Sequence, residues 1–179
     1  MSLYVLNDHR VVDIRSIRPN DSHRLQAYHL GLSDESRYRR FLSMKPRLSA
    51  ADAQYLVDID GSDHFALVAT SPEGSQGAGS IVAVARFIRL AASRDTAEFA
   101  IVVGDEFHRQ GLAGELMDRL AVAARERGIQ RFRAAMLADN VAIRRIMQHL
   151  AAGPLRVLER GAVIELEIEL GDEIRALAA

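Results

Sequence analysis

The stretch with the most chemical content is AEFAIVVGDEFHRQGLAGELMDRL, residues 97–120. Here an apolar strand passes through a short loop into a helix by way of Arg109, Gln110, Gly111, Leu112, Ala113 and Gly114. Gly111, Ala113 and Gly114 leave the first-turn N–H groups unobstructed. Those groups, with the positive end of the helix dipole, form an anion site suited to a pyrophosphate. An ordinary tight strand-to-helix turn would use the same small residues. Glu98 stands inside the apolar run just before this loop. If its apolar flanks desolvate it, its carboxyl rises toward neutrality and becomes a better proton acceptor, as a general base requires. A glutamate at a strand start pointing to water is the other reading.

Composition removes several rival chemistries. The 179 residues contain no cysteine, which excludes disulfide scaffolds, thiol catalysis, iron–sulfur clusters and thiolate zinc sites. The 23 basic and 24 acidic side chains give a formal net charge of −1, so the broad positive field of a nucleic-acid binder is missing. Lys45 is the only lysine, a bias given no functional weight. The glycines of GSQGAG at 74–79 lead into a strand, not a helix, and read as a hairpin turn. No G-x-x-x-x-G-K-[ST] occurs. The six histidines (9, 23, 29, 64, 108, 149) lack ligand spacing, so no metal is expected. The amino terminus lacks a basic segment with an apolar run, and no stretch approaches the roughly 18 apolar residues of a membrane span. A cytoplasmic protein with no membrane or nucleic-acid partner is expected.

The elements that must position these residues follow from periodicity and caps. Residues 9–19 alternate as a strand, and Pro19-Asn20-Asp21 starts a helix near Ser22 that ends around Gly31. Ser33 to Ser36 cap a second helix through Phe41, and Ser49 a third from Ala50 to Val57. HFALVATS and SIVAVARFIRL make an antiparallel hairpin, and AEFAIVV a third strand. Leu112, Leu116, Leu120 and Ala124 recur every fourth residue in a helix stopped by Gly128. FRAAML (132–137) reads as a buried strand, VAIRRIMQHL as a helix behind Asp139-Asn140, and PLRVLE with AVIELEIEL as a final hairpin. In the last strand Glu165, Glu167 and Glu169 share a face that is either solvated or a border favouring a cationic acceptor. Arg37, Arg39 and Arg40 read as solvated helix charge, or as contacts for a phosphate or a partner.

The segment V-x-x-x-x-H-R-Q-G-L-A, followed by a helix, a strand and A-D-N-x-x-x-x-x-I-M, resembles the GNAT superfamily of N-acetyltransferases. Within it, S-D-E-S-R-Y-R-R-F (33–41), L-S-A-A-D (48–52), F-A-L-V-A (65–69) and A-E-F-A-I-V-V (97–103) are similar to the acyltransferase domain of bacterial Pat-type protein lysine acetyltransferases. The resemblance spans about residues 10–170. It implies coenzyme A pyrophosphate on the amides of Arg109, Gln110, Gly111, Leu112, Ala113 and Gly114. It also implies a pantetheine arm along Ile101, Val102 and Val103, where one N–H serves as oxyanion donor, with Asn140 near the cofactor and Glu98 as general base. Against the family pattern, His108 replaces a Q/R, Met147 stands where many members carry a tyrosine acid, and Ala151-Ala152 replaces Gly-Phe. Neither a regulatory or synthetase-like segment nor control by a fused module is expected.

The fold class expected is α/β (α+β by some schemes): a GNAT fold, one domain over 1–179, with a mixed, mostly antiparallel twisted sheet of six to seven strands flanked by helices on both faces. Residues 171–179 are expected to be a loose tail. The function expected is direct acetyl transfer from acetyl-CoA to an amine, a protein lysine first. A small-molecule amine acetyltransferase and a non-catalytic acyl-CoA-binding module are the alternatives.

Overall fold

Period-two alternation and well-placed caps carry most of the chain into register. The computed structural model describes residues 2–43, 45–72 and 77–171. Among these, eight strands form one sheet: β1 (Ser2–Val5), β2 (Val11–Ser16), β3 (His64–Thr70), β4 (Ile81–Leu90), β5 (Ser93–Val103), β6 (Arg131–Leu137), β7 (Arg156–Glu159) and β8 (Val163–Glu169). Their order is β1-β2-β3-β4-β5-β6-β8-β7, and every neighbouring pair is antiparallel except β5–β6. The count exceeds the expected six to seven because SLYV pairs with β2, an N-terminal strand the alternation of residues 9–19 did not include. The expected tail lies outside the described residues apart from Gly171, as do residues 73–76 of the β3–β4 turn.

Helices cover both faces. On one face, α1 (Ser22–Gly31) and α3 (Ala50–Val57) enclose Ile17, Leu25, Leu48, Val57, Ala66, Val68, Ile81 and Val84, with α2 (Asp34–Phe41) at the rim contributing Phe41. On the other, α4 (Leu112–Glu126) and α5 (Val141–Leu150) lay Leu112, Leu116, Met117, Leu120, Ile146 and Met147 on Phe87, Phe99 and Phe132. The starts of α2 and α3 follow the expected cap chemistry. Ser33 Oγ accepts from Ser36 N (3.2 Å), and Ser49 Oγ accepts from Asp52 N (3.0 Å) while Asp52 returns the bond to Ser49 N (3.1 Å). Gly128, at φ +75°, ends α4 in the left-handed turn that glycine adopts without a Cβ penalty.

The α1 start is fixed by a buried ion pair. Asp21 is fully buried, and Arg15 reaches it from β2 with two bonds of 2.6 and 2.9 Å, joined by Arg18 N (2.9 Å) and Arg24 Nη1 (3.2 Å). Burial pushes the Asp21 carboxyl up, but these donors outweigh it and hold the carboxyl below the usual range. A carboxyl lowered in the folded state contributes stability that is present above its unfolded value, near 4, and is lost as pH falls through the folded one. Acid titration of unfolding free energy is therefore expected to show a limb below about pH 4 that Asp21→Asn flattens, with a lower plateau at neutral pH. An unchanged limb in the variant would show that other carboxylates carry it.

Candidate functional site

The sheet opens where its one parallel pair ends. β5 and β6 are paired only at Thr96–Arg131, Ala97–Phe132 and Glu98–Arg133, whereas β4 stays paired with β5 as far as Val103 and β8 with β6 as far as Leu137. Beyond Glu98 the two strands diverge, with Phe99 to Val103 on one wall of a wedge and Ala134 to Met136 on the other. A cleft of about 1100 Å³ fills this wedge, and Glu98, Ile101, Val102, Val103, Arg109, Gln110, Gly111, Leu112, Ala113, Gly114 and Asn140 all line it.

Antiparallel alternation decides which main-chain groups the cleft receives. Gly104 N donates to Val82 O on β4 (2.8 Å), so Val102 also turns its amide and carbonyl to β4, where Tyr28 Oη donates to Val102 O (3.1 Å). Phe99, Ile101 and Val103 turn theirs to the cleft. Val103 O is engaged by His108 Nε2 at 3.0 Å. The expectation of an edge offered by Ile101, Val102 and Val103 together is thus corrected: Ile101 and Val103 present it, and Val102 contributes only its side chain.

The α4 terminus is bare. Gly111 occupies the N-cap position at φ +80°, no side chain caps the helix, and its first intrahelical bond is Glu115 N to Gly111 O (3.2 Å). The amides of Leu112, Ala113 and Gly114 therefore lack intrahelical acceptors and meet the cleft with the dipole behind them. Glycine is required twice at position 111. The left-handed backbone disfavours a side chain, and a Cβ there would stand 2.7 Å from Tyr4 Oη.

Tyr4 and Asn7 line the same cleft, a contribution from β1 and its turn that no sequence signal announced. The turn also braces the loop: Asp8 N donates to Gln110 Oε1 (3.0 Å), Asn7 N to Gln110 O (3.4 Å), and Arg10 donates to Glu106 O (2.8 Å) with its guanidinium over the Phe107 ring (4.3 Å). Gln110 thus holds the loop through its side chain as well as lining the cleft.

Glu98 reaches the cleft from the other face of the sheet. Ala97, Phe99, Ile101 and Val103 pack with the α4 core, so Glu98 alternates to the face of α1–α3, where α2 supplies Ser36, Arg39, Arg40, Phe41 and Leu42. Its apolar flanks point away from it to the α4 side, and of the two readings of position 98 the structure gives the one open to solvent, within the cleft. α2 is pinned above it by Asp105, which accepts from Ser33 N (2.8 Å), Ser33 Oγ (2.8 Å) and Ser36 Oγ (2.7 Å) at the end of β5.

The remaining candidates fall into structural places. Asn140 caps α5, its Oδ1 accepting from Ile143 N (3.3 Å), which leaves the amide nitrogen as its donor toward the cleft. Met147 is fully buried in the α4–α5 core. Residues 132–137 alternate and are not buried throughout: Phe132, Ala134 and Met136 face the core, while Ala135 is exposed. The acidic stripe is not a uniformly solvated face. Glu167 is buried between Arg133 (3.0 Å) and Arg156 (2.9 Å), and Arg133 also reaches Glu165 (3.6 Å). A second hollow of about 660 Å³, between α5 and the β7–β8 hairpin, has arginines at its rim and neither carboxylate nor imidazole in its lining. Among the described residues no three His, Asp or Glu side chains could share a metal ion, and no helix is long and apolar enough to cross a membrane.

One parallel pair parting before a bare helix terminus, with a carboxylate on the strand beside it, is the arrangement of a GNAT-type acetyltransferase domain. Residues 12–152 match the family of acetyltransferase (GNAT) domains, and the chain belongs to that family. It is 37% identical over 157 residues, 88% of its length, to the acetyltransferase Pat of Mycolicibacterium smegmatis, and spans 45% of that protein. An acetyltransferase of Pseudomonas aeruginosa is 31% identical over 139 residues, covering 78% of this chain and 73% of that one. The crystal structure of the GNAT domain of S. lividans PAT superposes with a TM-score of 0.83 at 32% identity, covering 94% of this chain and 96% of that domain. A cAMP-binding acyltransferase from Mycobacterium smegmatis gives a TM-score of 0.64 at 30% identity, with this chain matching 47% of it. The chain therefore spans about half the length of the mycobacterial relatives.

Proposed function

We propose that this chain transfers an acetyl group from acetyl-CoA directly to an amine, with a protein lysine as the first acceptor. The observation that carries the reading is the placement of Glu98 and the bare α4 terminus along one cleft. The cradle fits a diphosphate: three amides without intrahelical partners and a glycine closing the turn leave its oxygens room and donors. Bound there, acetyl-CoA would supply an activated thioester, and the cleft-side amides of Ile101 and Val103 are placed to donate to its carbonyl oxygen as negative charge develops.

Glu98 addresses the larger difficulty. An amine with pKa about 10.4 is protonated at pH 7, and removing that proton costs about 4–5 kcal/mol. A carboxylate exposed within the cleft takes the proton directly or through one water, and holding amine and thioester on adjacent strands reduces the entropic part of the barrier. No tyrosine follows at position 147 to protonate the leaving thiolate, and a thiol of pKa near 8.5 departs with little help. The resemblance of residues 33–41 and 97–103 to Pat-type enzymes supports the lysine.

The direct test incubates the chain with labelled acetyl-CoA and a panel of lysine peptides, folded proteins and small amines. Label in lysine peptides supports the reading, and label confined to small amines moves the acceptor class. Tight acetyl-CoA binding with label nowhere would mean a binding module and no transferase.

A further inference from the structure

Two opposite charges stand in the acceptor half of the cleft without answering each other. Among the described residues Glu98 makes no ion pair, and Arg40 makes neither a hydrogen bond nor an ion pair; its contact is the face of the Phe41 ring at 4.8 Å. The neighbouring arginines of α2 are satisfied. Arg37 pairs with Asp34 at 2.5 Å, and Arg39 pairs with Glu35 (2.9 Å) and with Asp139 (3.3 Å) ahead of α5. On the opposite side Glu165 and Glu167 are neutralised by Arg133 and Arg156. Glu98 and Arg40 are left as a separated, unpaired couple on one wall.

Arg40 is held there under electrostatic discomfort. Burial lowers the pKa of its guanidinium, with Glu98 pulling the other way. Arg86, buried below on β4, is brought down to about 9 by burial and by Arg40. Arg86 turns elsewhere, donating to Leu56 O (3.1 Å) and meeting His64 Nε2 (3.1 Å), so of these two Arg40 is the one that lines the cleft, and it does so on the Glu98 side, where α2 lies; Arg109 and Arg145 line the cleft from the α4 loop and from α5. A half-buried guanidinium with its fork of donors unused is a carboxylate site by its chemistry. A fixed cation beside the base also disfavours a bare ammonium there, and a carboxylate arriving with the amine would cancel that penalty.

We propose that Arg40 selects acceptors in which a carboxylate accompanies the reacting amine, Glu98 receiving the amine end and Arg40 the acid. The inference rests on the amine-transfer reading and narrows it. The carboxylate comes either from an acidic side chain next to a target lysine or from the acceptor's own carboxyl group. Arg40 acts here as a specificity residue and moves no proton.

The test uses two sets of acceptors with the whole chain: lysine peptides carrying Asp, Asn or Arg at each of the two positions on either side of the lysine, and amino acids compared with their carboxamides. The parent is expected to prefer the acid member of at least one pair about tenfold in kcat/KM, through KM. Arg40→Gln is expected to bring that ratio near one, and Arg40→Glu to invert it toward peptides bearing Arg in the same position. Acetyl-CoA affinity within about twofold of the parent shows that both variants fold. A preference in the peptides assigns the side-chain source, and one in the amino acids the free carboxyl group. Equal rates throughout, or a preference that survives in Arg40→Gln, overturns the role of Arg40 and leaves amine transfer standing. A parent that acetylates no amine overturns the transferase reading and this inference with it.

Discussion

Glu98→Gln is expected to lower kcat/KM for amine acetylation by about 10²- to 10⁴-fold, the range for loss of a positioned general base, equivalent to about 3–5 kcal/mol of barrier. The substitution keeps the side chain's shape and removes its capacity to accept the amine's proton. Glu98 faces the side of the sheet away from the α4 core and makes no ion pair among the described residues, so acetyl-CoA affinity and thermal stability should stay close to those of the parent. The loss should shrink as pH rises toward the amine's own pKa, because a neutral amine no longer needs the base. Single-turnover rates with saturating acetyl-CoA, followed from pH 6 to 9.5, measure this. A variant with parental rates at pH 7 removes Glu98 as the base.

Much of this was legible in the sequence, and the parts that were not share a cause. α3 and α5 begin where Ser49 and Asn140 announce them, because a cap is a local hydrogen bond between near neighbours, whereas Asp21 precedes α1 without capping it and spends its carboxylate on Arg15, Arg18 N and Arg24. The uncapped α4 terminus behind Gly111 was equally visible, since small residues before a helix state their geometry locally. Period two placed Glu98 opposite Ala97 and Phe99, but it could not say which face was apolar core and which was cleft, so a buried glutamate and one open to water both stayed possible. α2 shows the limit more sharply. In DESRYRRF, Arg37 answers Asp34 and Arg39 answers Glu35 along the helix, but Arg39 also reaches Asp139, and Arg40 meets the cleft, only through the fold. β1 was missed because four residues at the chain start carry too short an alternation to read. Tyr4 and Asn7, which sit against Gly111, were missed with it.

A carboxylate placed in the α4 cradle should abolish acetyl-CoA binding, and two positions separate that effect from folding. Gly111→Glu is expected to weaken binding by more than about 100-fold, because its charge meets the diphosphate where three amides should. It also forces a side chain into a left-handed backbone and toward Tyr4 Oη, at 2.7 Å from the Cβ position, so part of any loss belongs to stability. Ala113→Glu carries no such backbone strain, its partly buried methyl group lying at the edge of the core. Position 113 lies in the first turn of a 15-residue helix with regular backbone, and an acid there is favoured by the dipole by about 0.3–1 kcal/mol. The melting temperature of Ala113→Glu should therefore hold or rise while its acetyl-CoA titration by calorimetry weakens at least tenfold. That opposition follows only if the same amides that stabilise the helix against a side-chain anion are the ones that receive the cofactor's. A variant that is more stable and binds acetyl-CoA as tightly as the parent would place the diphosphate elsewhere in the cleft.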